Sequence, residues 1–275
     1  MNTTAPIGIF DSGYGGLTIL SEIARQMPQY DYLYLGDNAR TPYGSRSFEI
    51  VYEFTRSCVR HLFDQGCNLV ILACNTASAK ALRTIQQHDL PLWGDHLRVL
   101  GVIFPTIEAI IVTTLSQHVG LLATEGTITS RSYEIELGKL SPEITIVSEA
   151  CPMWVPIIEN NEMNTLGSRY FVRQHVERLL NKDPLIDTLI LGCTHYSMLL
   201  PEIAAFVPPH IQIVSQGKLI APSLADYLHR HPEMETRCSK GGTIQFTTTE
   251  APSRFIQTAR AFWPTLQHAD KVRID

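Results

Sequence analysis

The chain has 275 residues, 44% hydrophobic and 18% charged, with 22 basic and 27 acidic side chains and a net charge of −5. That is the make-up of an ordinary soluble enzyme, long enough for one large domain or two of moderate size. No basic run recommends nucleic acid as a partner, no apolar run nears the ~20 residues of a membrane span, and the polar start at residues 1–6 lacks the pattern of a signal peptide, so a cytoplasmic location is expected.

In chain order, apolar runs alternate with helical periodicity. Residues 7–10 read as a short buried strand and 17–27 as a helix with Leu17, Leu20, Ile23 and Ala24 on one face. A strand at 31–35 precedes a longer helix at 47–65, with Gly66 placed to end it, and then a strand at 68–73 and a helix at 78–87. The pattern then restarts. Strands are expected at 98–102, 119–123, 144–148, 188–191, 211–215 and 243–247, and helices at 105–115, 130–140, 167–181, 197–206, 223–229 and 252–262. Near-continuous apolar strands between helices imply mostly parallel sheets covered on both faces.

Two stretches repeat. Val70 to Thr76 resembles Leu189 to His195, each an apolar strand, a small residue, a cysteine and polar residues; Ile7 to Gly13 resembles Val119 to Gly126 at a similar separation. Two like α/β units are therefore expected, related by a pseudo-two-fold axis, with a cleft between them.

Ligands bind beyond the carboxyl ends of strands in such sheets. Asp11-Ser12-Gly13, Cys74-Asn75-Thr76, residues 124–127 and Cys193-Thr194-His195 sit at those ends. If the two units face each other, Cys74 and Cys193 flank one ligand. Opposed groups of that kind are what inversion at carbon requires: one takes a proton from one face, and the other gives a proton to the opposite face. A thiol titrating near ~8.5 serves as either acid or base. Donors at strand-to-helix turns, such as Ser12, Asn75, Thr76 and Thr194, suit anionic groups.

Blander readings stand beside these. A cysteine after an apolar strand is usually a small buried hydrophobe, although a matched pair in a repeat argues otherwise. Asp11 is either a helix cap or a polarising group, and His195 either a structural histidine or a modulator of the Cys193 thiol. Gly13-Tyr14-Gly15-Gly16 raises nucleotide binding, but no Gly-x-Gly-x-x-Gly or phosphate-loop Gly-Lys-Ser/Thr is present. Residues 37–44 are a turn by composition or the wall of a pocket. Cys58 and Cys67 read as packing residues, Cys151 as a turn residue beside Pro152, and Cys238 as incidental in a polar loop. The six cysteines are expected to be free thiols, and no metal-ligand spacing is present.

At these residues the chain resembles the glutamate racemases of the aspartate/glutamate racemase superfamily, from Ile7 to about Tyr227. The matching segments are Gly8 to Gly13 with Gly15, Gly16 and Leu17; Tyr34 to Asp37 with Pro42-Tyr43-Gly44; Ala73 to Ser78; Gly126-Thr127 with Ser130 and Tyr133; Ala150-Cys151-Pro152 with Val155-Pro156; and Leu191 to Tyr196. The resemblance implies interconversion of L- and D-glutamate with no cofactor and no metal, D-glutamate going to peptidoglycan, and a homodimer. It implies that Cys74 acts on the D-isomer and Cys193 on the L-isomer, assisted by Asp11, Glu159 and His195. It assigns substrate binding to Ser12, Pro42, Tyr43, Gly44, Asn75, Thr76, Thr124, Thr127 and Thr194. It also implies a first domain of residues 1–97 plus 216–275 and a second of 98–215. Two departures stand out: Ala123-Thr124 where a Gly more often precedes the Thr, and Ser215-Gln216-Gly217-Lys218 without the usual acidic residue. The chain also lacks the N-terminal extension of members activated by a muramyl-peptide precursor, so no such activation is expected.

Two other functions share these features: a racemase for aspartate or another small acid, and a two-lobed protein that binds an amino acid without inverting it.

Overall fold

The computed structural model describes residues 4–274; residues 1–3 of the polar start, and Asp275, lie outside them. The strands are β1 (Ile7–Asp11), β2 (Tyr32–Gly36), β3 (Leu69–Leu72), β4 (Arg98–Gly101), β5 (His118–Ala123), β6 (Thr145–Ala150), β7 (Thr188–Gly192), β8 (Gln212–Val214), β9 (Ile244–Thr248) and β10 (Asp270–Lys271). They form a six-stranded sheet, β10-β9-β2-β1-β3-β4, and a four-stranded sheet, β6-β5-β7-β8. Every pairing is parallel. The α/β class with mostly parallel sheets is as the apolar alternation predicts. The internal repeat is visible as topology, because β2-β1-β3-β4 and β6-β5-β7-β8 have the same order.

Burial explains the strands. All residues of β1, β2, β3 and β7 are buried, since helices cover both sheet faces. The helix Gly16–Gln26 buries Leu17, Leu20 and Ile23, each worth roughly 1.5–3 kcal/mol of transfer free energy. It packs on the helix Gly217–Arg230, which the chain forms on its way back to the first sheet. The helix Phe48–Asp64 starts where Ser47 Oγ accepts from the Ile50 amide and ends before Gly66, whose φ of 97° suits glycine alone. One apolar cluster runs from Ile9 and Ile71 under the first sheet through Trp154 and Tyr196 to Leu122 and Leu191 under the second. The two sheets therefore share a core.

Several elements differ from the periodicity. Arg98–Gly101, expected to open the second unit, pairs with β3 as the edge of the first sheet. A crossover helix after β3 leads naturally to the next parallel neighbour, and apolar pattern alone carries no pairing information. The helix expected at 78–87 begins at Asn75 and continues with irregular turns to Trp93. The turn expected beside Pro152 is present at residues 152–153, and the helix Trp154–Glu159 follows it. Cys238, read as incidental, is 4% exposed and donates to the Met234 carbonyl at 3.4 Å. No described helix is long and apolar enough to cross a membrane.

Candidate active site

The carboxyl ends of β1, β3, β5, β6 and β7 converge on one cavity of about 120 Å3. Asp11 and Ser12 line it from β1, and Cys74, Asn75 and Thr76 from β3. Thr124 reaches it from β5, and Cys193, Thr194 and His195 from β7. Pro42, Tyr43 and Gly44 close one side. Two of the expected residues stand outside. Thr127 touches the site through hydroxyls, and Glu159 through His195. Of the further lining residues, Thr41 and Glu125 fall within the stretches 37–44 and 124–127 already marked by the sequence, Ser45 does not, and Cys151 lines the cavity rather than serving only as a turn. Ser45 lies in a loop and carries no periodic signal; Cys151 is brought in because β6 ends beside β5.

Each sulfur sits where a strand gives way to helical turns. Cys74 is the N-cap of the helix Asn75–Lys80, its Sγ accepting from the Ala77 amide at 3.4 Å and lying 3.2 Å from Ser12 Oγ. Cys193 is the N-cap of the short 3-10 helix Thr194–Leu199. All six cysteines are free and buried. Burial, reinforced by the Asp11 charge, pushes the Cys74 thiol up to about 12 against the pull of Ser12 and Ala77. At neutral pH Cys74 therefore holds its proton.

The other wall is organised differently. His195 Nδ1 lies 3.8 Å from Cys193 Sγ, and His195 Nε2 lies 2.9 Å from Glu159 Oε1. Burial pulls the imidazole pKa down, but the bonds to Cys193 and Glu159 override it and raise it to about 10. His195 is thus an imidazolium at neutral pH, held between Cys193 Sγ and Glu159 Oε1. Asp11 feels both walls. Burial raises its pKa, opposed first by the His195 charge, while its own charge raises Cys74. Its Oδ2 accepts from Gly13 N at 2.9 Å, and its carboxylate also takes the backbone N–H of Gly16, the first residue of the helix that follows, so Asp11 both binds the turn and serves the start of that helix.

The imidazolium has a consequence for stability. Because the folded pKa exceeds the ordinary ~6.5, the added stability is complete below about pH 6.5 and disappears as pH rises through about 10. Glu159→Gln should shrink this contribution. Urea unfolding of the two proteins should differ at pH 6.5 and converge towards pH 10.5; an equal gap at both pH values contradicts the pairing.

Residues 15–222 match the Asp/Glu/Hydantoin racemase family. The chain belongs to that family. It is 41% identical over 266 residues to a glutamate racemase of Ruegeria sp., covering 93% of this chain and 96% of the other. The structure of glutamate racemase isoform RacE1 from Bacillus anthracis matches with a TM-score of 0.88 at 35% identity, over 98% of this chain and 97% of that one. Glutamate racemase from Francisella tularensis, solved with D-glutamate, matches with a TM-score of 0.86 at 28% identity, over 99% and 98%. The sequence resemblance is borne out, and the protein is an amino-acid racemase.

In this racemase the wall residue Tyr43 is locked from behind. It is 1% exposed and its hydroxyl donates to Asp37, which also takes Arg40 Nε at 2.8 Å and the Thr249 hydroxyl at 2.9 Å. Across the cleft, Thr76 and Thr124 hydroxyls lie 2.9 Å apart, and Thr127 Oγ1 is 3.0 Å from Thr124 and 3.4 Å from Thr76. Among the described residues, the racemase cavity wall has hydroxyls, an amide and backbone at helical starts, but no lysine or arginine. Among the described residues no three His, Cys, Asp or Glu side chains are arranged to hold a metal ion.

Proposed function

We propose that this racemase interconverts L- and D-glutamate by two-base proton transfer between Cys74 and Cys193, without a cofactor. The observation that carries the proposal is the pair of thiols, at equivalent ends of β3 and β7 in two sheets of like order, lining one cavity. The relatives named glutamate racemase, and the Francisella structure with D-glutamate, support the choice of substrate.

With L-glutamate, a Cys193 thiolate beside the His195 imidazolium takes the α-proton. The Cys74 thiol delivers its proton to the opposite face, giving D-glutamate with Cys193 protonated and Cys74 as thiolate. The reverse reaction starts from that second form, and the two forms interconvert by proton exchange with water. Asp11, His195 and Glu159 tune these protonation states. Ser12, Asn75, Thr76, Thr124 and Thr194 supply donors for the carboxylates, with Thr127 supporting Thr76 and Thr124. Pro42, Tyr43 and Gly44 form the wall along the side chain. In this proposal residues 1–97 with 216–275, and 98–215, act as the two lobes, except that β4 belongs to the first. The product would feed peptidoglycan synthesis in the bacterial cytoplasm, made by a homodimer.

Turnover of L-glutamate in deuterated water, with no added cofactor, is expected to give D-glutamate carrying deuterium at the α-carbon. Parallel runs with aspartate test the substrate. Preferred turnover of aspartate, or dependence on pyridoxal phosphate or a divalent metal, overturns the proposal, and binding without any turnover supports the binding-protein alternative.

A further inference from the structure

Gln216 lies outside the cavity, at the turn between β8 and the helix Gly217–Arg230, and is 3% exposed. Its amide contacts both halves of the molecule. Nε2 lies 3.0 Å from Asn75 Oδ1, from Thr106 Oγ1 and from Tyr133 OH, and Oε1 accepts from Asn75 Nδ2 at 2.5 Å.

The direction of this network is fixed by its one end that is only an acceptor. The Val102 carbonyl cannot donate, so the Thr106 hydroxyl donates to it at 2.7 Å. Thr106 Oγ1 then has only lone pairs to offer Gln216, which must turn its nitrogen that way. That leaves Oε1 facing Asn75, so Asn75 must answer with Nδ2. Its Oδ1 in turn takes the Tyr133 hydroxyl at 2.8 Å and the other Nε2 hydrogen. One Asn75 N–H has no protein partner among the described residues, and Asn75 lines the cavity.

We infer that Gln216 is a positioning residue that sets the Asn75 amide to present an N–H, rather than a carbonyl, to an anionic group of the substrate. A flipped Asn75 sets an oxygen against a carboxylate, which converts a donor contact into a repulsion. The inference rests on the reading above that Asn75 binds substrate. It adds that a second residue, reaching no ligand, controls that contact.

A double-mutant cycle tests it. Gln216→Met is expected to raise KM about tenfold in both directions, the loss of one hydrogen bond to a charged group, with kcat changed less than about threefold. Asn75→Ala alone is expected to raise KM as much, and adding Gln216→Met to it should change KM less than about twofold. Thr106→Val, which keeps Gln216 but removes the directional anchor, should raise KM several-fold and covers the case in which Gln216→Met does not fold. If Asn75→Ala leaves KM unchanged, the reading of Asn75 as a substrate donor fails. If Asn75→Ala raises KM and Gln216→Met multiplies it again by the same factor, or acts only on kcat, that reading stands and the role of Gln216 is overturned.

Discussion

Cys74→Ser and Cys193→Ser are each expected to reduce racemisation by about 10³–10⁴, near the upper end of what one positioned acid/base group contributes. Serine keeps the size and the N-cap geometry of Cys74 but is far too weak an acid to share a proton at neutral pH. Substrate affinity should change little, because the carboxylate donors are other residues. The two variants should also lose symmetry. With one sulfur gone, the other still removes a proton from the face it touches and returns one to the same face. Each variant is therefore expected to exchange the α-hydrogen of one enantiomer with deuterated water while forming almost none of the other, Cys193→Ser on D-glutamate and Cys74→Ser on L-glutamate. Single variants that still racemise at more than a tenth of the parent rate would remove the basis for a two-thiol mechanism.

Gly15→Ala is expected to lower kcat/KM by about a hundredfold, the cost of displacing catalytic groups by about an ångström. Gly15 has φ −59° and ψ −33°, a conformation alanine adopts freely, so backbone strain plays no part. The obstacle is space. A Cβ there lies 2.4 Å from His195 Nδ1 and 2.5 Å from Thr194 Oγ1, so the segment after Cys193 must shift. Gly138→Ala is the control. Nothing lies within 4 Å of a Cβ at that position in the helix Ser132–Leu140. That substitution should leave kinetics alone and add about 1 kcal/mol of stability. Equal activity of the two variants would mean that the close fit of Gly15 against His195 has no catalytic value.

That fit also shows what sequence alone conveys. Gly13-Tyr14-Gly15-Gly16 invites a phosphate-binding interpretation, yet a Cβ on Gly13 or Gly15 would meet Glu159 or His195, more than a hundred residues away, and one on Gly16 would meet Asp11 Cβ at 2.5 Å. The strands were legible because burial on both faces writes a continuous apolar run, and the thiol pair because duplication wrote it twice. Pairing partners were not, as β4 shows, because an apolar run does not state which neighbour it joins. Glu159 sits on a helix interrupted in pattern by Pro156, and only family resemblance singled it out; its bond to His195 is a tertiary fact. The surroundings of Cys151 and Gln216, both in segments the sequence marked, were illegible for the same reason. Each acquires its surroundings from strands that meet only after folding.

The order of strands also bears on how the chain is made. The second sheet comes from one uninterrupted stretch, β5 to β8, whereas the first is completed only when β9 and β10 arrive from the far end of the chain. During synthesis β2, a run of Tyr-Leu-Tyr-Leu-Gly, waits with an open edge until Ile244–Thr248 emerges to cover it. Unpaired apolar edges recruit other chains. Nascent chains halted before β9 are therefore the aggregation-sensitive species, and a carboxyl-terminal deletion harms solubility before it touches any residue of the cavity.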